Sequence, residues 1–147
     1  MGKSSVAEKL ANKFGCNIVR LTYNGDRSFG AYFDFMTCEN VVHDRTFISE
    51  IIYPKYFGKD SRLKSKMIEP LYKMLTCQGI NVFILTASDE TIQERIGKRG
   101  DEFINDMNKF KAINHDYLEL AKEHNFIVID TTDKTIDEVV EEIGGHL

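Results

Sequence analysis

Apolar positions along the chain recur with two different periods. In residues 4–14, Val6, Leu10 and Phe14 lie four apart with Ala7 and Ala11 beside them, which predicts a helix. Gly15 closes it, in the usual place of a left-handed cap. NIVRLTY (17–23) predicts a strand, and Asn24-Gly25-Asp26 a loop after it. Residues 28–36 predict a short aromatic helix and VVHD (41–44) a very short strand. Residues 47–57 predict a helix bent or broken near Pro54, and 64–77 a longer one ended by Gly79. INVFILT (80–86) is nearly all apolar, as in a strand covered on both faces of a parallel sheet. Ser88 then caps a helix with Asp89 and Glu90 in its first turn, reaching Arg95 or Ile96. Met107, Phe110, Ile113, Tyr117 and Ala121 line one face of a helix over 105–124, and FIVID (126–130) predicts another buried strand. Thr135 and Glu138 make a capping box, from which Ile136, Val139, Val140 and Ile143 face inward on the last helix.

Strands alternating with helices predict an α/β domain with a parallel sheet. Ligands of such sheets sit beyond the carboxyl ends of the strands. The residues there are Tyr23, Asn24, Asp26 and Arg27 after 17–23, then Asp44 and Arg45, then Ala87 and Ser88, and finally Thr131 and Thr132.

Composition narrows the picture only a little. The 147 residues suit one domain, and a formal net charge of −4 argues against non-specific binding to nucleic acid or membrane surfaces. No apolar run is long enough for a membrane span, and residues 1–15 lack the apolar centre of a signal peptide. Cys16, Cys38 and Cys77 are odd in number and widely spaced, as expected of reduced, partly buried thiols. The four histidines show no metal-ligating spacing.

Four constellations carry candidate chemistry. Gly2-Lys3-Ser4-Ser5 precedes the first helix and supplies the final elements of a phosphate-binding loop: a glycine, a lysine for outer phosphates and a hydroxyl for Mg²⁺. Asp44-Arg45 sets a carboxylate and a guanidinium at a strand end; the alternative is a surface ion pair. Arg95-Ile96-Gly97-Lys98-Arg99-Gly100 reads as a helix dissolving into a glycine-flanked basic stretch, the form of a mobile lid; the alternative is cations placed on a helix C-terminal dipole. Arg27 either reaches a substrate phosphate or stabilises its turn. Among Phe29, Tyr32, Phe33, Phe35, Tyr53, Tyr56 and Phe57, most are expected in the core, though some are placed to stack on a base.

In this order and spacing the motifs resemble the thymidylate kinase-like branch of P-loop nucleoside and nucleotide kinases. Gly2-Lys3-Ser4-Ser5 is similar to the end of a Walker A loop, Asp44-Arg45 to the family's Asp-Arg motif, and Arg95-x-x-x-Arg99 to its lid. FIVIDTTDKTIDEVVEEI (126–143) is similar to its final strand, adenine-contacting turn and closing helix. The resemblance implies a three-layer α/β/α P-loop NTPase fold with a mostly parallel sheet of order 2-3-1-4-5, and a lid at 95–105. It implies transfer of the ATP γ-phosphoryl to a (deoxy)nucleoside monophosphate, thymidylate first, in the cytoplasm, with ATP and Mg²⁺ as cofactors. Lys3 would hold the β- and γ-phosphates, with Gly2, Ser4 and Ser5 in the loop and Ser4 ligating Mg²⁺. Asp44 would bind the metal through water or orient the acceptor. Arg45 and Arg27 would hold the acceptor phosphate, Arg95 and Arg99 would cover the reacting group, and Thr131 and Thr132 would lie near the adenine. A homodimer is compatible with this reading; a nucleic-acid polymer or a membrane as partner is not.

Two departures shape the expectation. Only Met1 precedes Gly2, so the family's first strand and the start of its loop are missing, and the chain reads as an N-terminally truncated form of a longer kinase. Without that strand, 41–44 and 80–86 lack a shared neighbour unless they pair directly. The family's Arg-Glu-Pro stretch is replaced by Asn24–Arg27, which weakens the choice of thymidylate. A deoxynucleoside kinase, suggested by FISEIIYPKYF (47–57) after Asp-Arg, and a nucleotide-binding domain without activity remain the alternatives.

Overall fold

The computed structural model describes residues 2–21, 28–58, 60–99 and 106–147. Its elements alternate as expected: α1 (Lys3–Phe14), β1 (Asn17–Arg20), α2 (Phe29–Thr37), β2 (Val41–Asp44), α3 (Phe47–Phe57), α4 (Ser65–Cys77), β3 (Phe83–Thr86), α5 (Asp89–Arg99), α6 (Met107–His124), β4 (Ile127–Asp130) and α7 (Ile136–Gly145). The strands pair in parallel, β1 with β2 and β3 with β4, as two two-stranded sheets. Direct pairing of the 41–44 and 83–86 strands is not among the pairings of the described residues. The register sets Arg20 beside Asp44 and Thr86 beside Asp130, so each sheet gathers polar side chains at its carboxyl end.

The chain divides into two compact units, one of Met1–Val6 with Val82–Leu147 and one of Ala7–Asn81. In the second, buried Tyr32 and Met36 of α2 join Phe47, Ile48 and Ile52 of α3 and Leu71 and Leu75 of α4. The Phe47 ring stands edge-on to Tyr32 at 6.3 Å and to Tyr72 at 5.0 Å between centroids, which adds about 1 kcal/mol per pair beyond the area removed from water. Pro54 lies inside α3 and has no N–H to offer the Glu50 carbonyl one turn back. The Ser61 hydroxyl donates to that carbonyl at 3.1 Å, and the Arg62 N–H donates to the buried Glu50 carboxylate at 2.8 Å. The helix is therefore not broken at Pro54; its freed acceptor anchors the segment that follows.

The other unit packs α6 and α7 against its sheet, with Ile84, Ile113, Ala121, Ile129, Val139, Val140 and Ile143 buried. Several expectations are corrected. Phe14, Ile136 and Val128 are exposed at 46%, 37% and 43%, so the ends of the apolar stripes and one side of β4 remain open. Helix α5 does not stop at Ile96 but continues through Gly97 to Arg99, its last turns supported by a Glu94–Lys98 pair one turn apart. Of the cysteines, Cys38 and Cys77 are exposed and Cys16 is half-buried. Among the aromatics singled out, Tyr32 is buried while Phe33 is 44% exposed. No helix among the described residues is long and apolar enough to cross a membrane.

Candidate functional site

In the unit of Met1–Val6 and Val82–Leu147, the first feature is the entry to α1. Gly2 has φ +84°, a left-handed conformation that an L side chain resists, and its carbonyl accepts the Val6 N–H at 2.9 Å. The helix therefore starts at Lys3 with Ser4 and Ser5 in its first turn and no acidic residue there. The positive dipole end of such a turn is what an anion requires.

The same unit holds Arg95, Thr131 and Thr132. Ser88 accepts the Thr91 N–H at 3.2 Å and so starts α5, and Asp89 pairs with Lys111 of α6 at 3.0 Å. More than one and a half turns into α5, Arg95 points at the segment after β4 and donates from Nη1 to the Thr131 hydroxyl at 2.9 Å and from Nη2 to the Thr131 carbonyl at 2.7 Å. Thr132 accepts the Ser88 N–H at 2.8 Å and donates its hydroxyl to Asp130 Oδ1 at 2.6 Å. The Thr132 hydroxyl and then its N–H hold the Asp130 carboxyl below its ordinary range. The fourth position beyond Arg95 is Arg99, whose side chain lies outside the described residues, as does Arg27.

In the unit of Ala7–Asn81, Asp44 ends β2 and is 8% exposed. Arg20 Nε approaches its Oδ2 at 3.9 Å and also pairs with Glu8 of α1. Arg45 follows with φ +78°, the left-handed region, at a position that carries a long side chain. Such strain persists only where neighbours enforce it and is a frequent mark of working sites. The Arg45 guanidinium lies over the Tyr53 ring at 4.8 Å, and Tyr53 stacks on Phe57 at 5.8 Å. Thr46 then starts α3 by accepting the Ile48 N–H at 3.3 Å. Beside Asp44, burial pushes His43 below its usual value.

Arg20, Tyr53 and Asn114, which contacts Thr86 Oγ1 at 3.0 Å, were not legible as partners from their local motifs. For Arg20 the signal lay in the parallel register, which places the last residue of β1 beside Asp44. For Asn114 it lay in an amide next to buried Ile113 on an amphipathic helix.

Among the described residues, no three His, Cys, Asp or Glu side chains gather as a metal cage. Mg²⁺ bound with a nucleotide requires none, because it keeps several waters and takes one or two protein oxygens besides phosphate. The Asp44 carboxylate and the Ser4 hydroxyl are donors of that kind.

Parallel strands joined through helices, with charged and hydroxyl side chains at their carboxyl ends, define an α/β protein of the class that binds ligands at strand ends. The sequence model described as thymidylate kinase matches residues 32–143. A "Probable thymidylate kinase" of Methanocaldococcus jannaschii is 36% identical over 108 residues, 74% of this chain and 54% of that protein. One from Sulfurisphaera tokodaii is 32% identical over 138 residues, 90% of this chain and 70% of that protein. Among solved structures, the YorR protein of Bacillus subtilis, in complex with phosphorylated GDP, matches with a TM-score of 0.81 at 23% identity, covering 99% of this chain and 88% of that one. The chain belongs to the thymidylate kinase family, and it spans about half the length of the first relative.

Proposed function

We propose that this chain carries a nucleoside monophosphate kinase activity, moving the ATP γ-phosphoryl to a (deoxy)nucleoside monophosphate, with thymidylate the first candidate acceptor. The observation that carries the proposal is the left-handed Gly2 leading directly into a helix whose first turn bears Lys3 and Ser4 without an acidic residue. Family membership over residues 32–143 supports it from a separate part of the chain.

Phosphoryl transfer asks a protein mainly for position and for charge stabilisation. Lys3 supplies a point charge for the β- and γ-phosphates, and the first-turn N–H groups of α1 supply donors to the same anion. On the family resemblance, Ser4 and Asp44 are the residues that would each offer an oxygen to Mg²⁺, which would neutralise phosphate charge. Asp44 orients the acceptor, and Arg45, with Arg27, binds the acceptor phosphate. Arg95 and Arg99 cover the reacting group; of the lid expected at 95–105, residues 100–105 lie outside the described residues. Thr132 lies close to the base of the donor.

A coupled assay of ADP release, run with Mg²⁺ and ATP against the common monophosphates and nucleosides, tests this. Release is expected with one or more monophosphates, and Lys3→Ala is expected to lower kcat/KM about a hundredfold, as for loss of one preorganised charge donor. Release only with nucleosides would make the chain a nucleoside kinase; release with no acceptor would refute the kinase reading.

A further inference from the structure

Thr131 is the first residue beyond β4 and is 6% exposed. Its N–H and its hydroxyl both donate to the Thr86 carbonyl, at 2.8 and 2.9 Å. Thr86 donates its own hydroxyl to Asn114 Oδ1 at 3.0 Å. The single hydroxyl proton of Thr131 is thus committed inside the protein, and what remains are acceptor positions on its hydroxyl and carbonyl oxygens. Arg95 donates to both, at 2.9 and 2.7 Å, and the carbonyl also accepts the Lys134 N–H at 3.4 Å.

The result is a chain of contacts from α6 through the ends of β3 and β4 to a guanidinium on α5. Two terminal nitrogens of Arg95 are gripped by neutral oxygens. Among the described residues, no carboxylate stands within ion-pair distance of it. Asp130 and Glu94 feel its charge without pairing with it directly, and the donors that do not face Thr131 remain for another acceptor. An arginine held in this way loses less freedom on meeting an anion than a loose one, which strengthens binding without adding a contact.

We propose that Thr131 is a positioning residue: through its hydroxyl it holds Arg95, before any ligand arrives, in the pose that receives the polyphosphate of a nucleoside triphosphate. The proposal rests on the kinase reading above and assigns Thr131 to act through Arg95 rather than on the nucleotide itself.

Titration calorimetry with Mg²⁺–ATP on the wild-type chain, Thr131→Val, Thr131→Ser, Arg95→Ala and the Thr131→Val/Arg95→Ala double variant tests it. Valine keeps the shape and removes the hydroxyl, so ATP binding is expected to weaken about tenfold, the size of one hydrogen bond to a charged group. Serine restores the hydroxyl and is expected to bind within about twofold of wild type on the same argument. The double variant is expected to bind no more weakly than Arg95→Ala alone, because the two changes remove one interaction. In the ligand-free protein, the Arg95 Nη–H signals, slowed in rotation by the grip, are expected in NMR spectra of wild type and the serine variant and absent in the valine variant. Wild-type affinity in Thr131→Val, additive losses in the double variant, or no rescue by serine would overturn the proposal while leaving the kinase reading intact. Failure of the wild-type chain to bind ATP would overturn both.

Discussion

A buried carboxylate is tolerated where its lone pairs are occupied, and Glu50 is such a case at 5% exposure. It accepts the Arg62 N–H across the turn between α3 and α4. Glu50→Ala would remove the charged acceptor of that N–H, an expected loss of about 2 kcal/mol in urea denaturation at neutral pH. Glu50→Gln keeps an acceptor oxygen in place and is expected to lose less than half as much on the same scale. Arg45 is the opposite kind of residue, with its backbone in a conformation it does not favour and its guanidinium over the Tyr53 ring. The Asp-Arg motif was legible in the sequence at the end of an apolar VV pair, but its strain was not. Backbone dihedrals of a loop depend on what the next helix places beneath it, here Tyr53 one and a half turns into α3.

At the level of the element, the capping box of α7 is complete: Thr135 accepts the Glu138 N–H at 3.3 Å while the Glu138 carboxylate accepts the Thr135 N–H at 2.7 Å. Thr135→Ala is expected to destabilise the protein by about 1 kcal/mol at pH 7. The Thr135 N–H and then its hydroxyl hold the Glu138 carboxyl below its ordinary value of about 4.5. Because the folded value is the lower one, this contribution is present above pH 4.5 and fades as the pH falls through the folded pKa. Denaturation of wild type and Thr135→Ala between pH 7 and pH 3 should show the gap narrowing on the acid side. Such start signals are local, which is why the S-D-E and T-x-x-E patterns located α5 and α7 from sequence. The end of α5 was misread because a glycine marks a stop only where nothing else supports the next turn; the Glu94–Lys98 pair supports it here.

For the molecule as a whole, a ligand that binds only the folded state raises stability by RT ln(1 + [L]/Kd). At a hundredfold excess of Mg²⁺–ATP over Kd this is about 2.7 kcal/mol, a Tm rise on the order of 8 °C for a chain of this size. Thermal unfolding followed with ATP, with and without Mg²⁺, should show that shift, and a smaller one when the metal is chelated. Fold class and the strand-end location of the candidate side chains could be read from periodicity alone, since both follow from the alternation of short apolar runs with amphipathic ones. The division into two parallel pairs was not readable that way, because hydrogen-bond partners between strands are chosen by distant segments. The Arg95–Thr131 grip escaped for the same reason, the two residues being thirty-six positions apart.

Pro54 inverts a familiar ranking. Alanine outscores proline at nearly every interior helical position, yet here the imino acid leaves vacant an acceptor that the Ser61 hydroxyl occupies. Restoring an amide at that position would give the Glu50 carbonyl, which has two lone pairs, a second donor beside the Ser61 hydroxyl, so the helix turn and the segment behind it would adjust together. Scores that treat each element in isolation would miss that coupling.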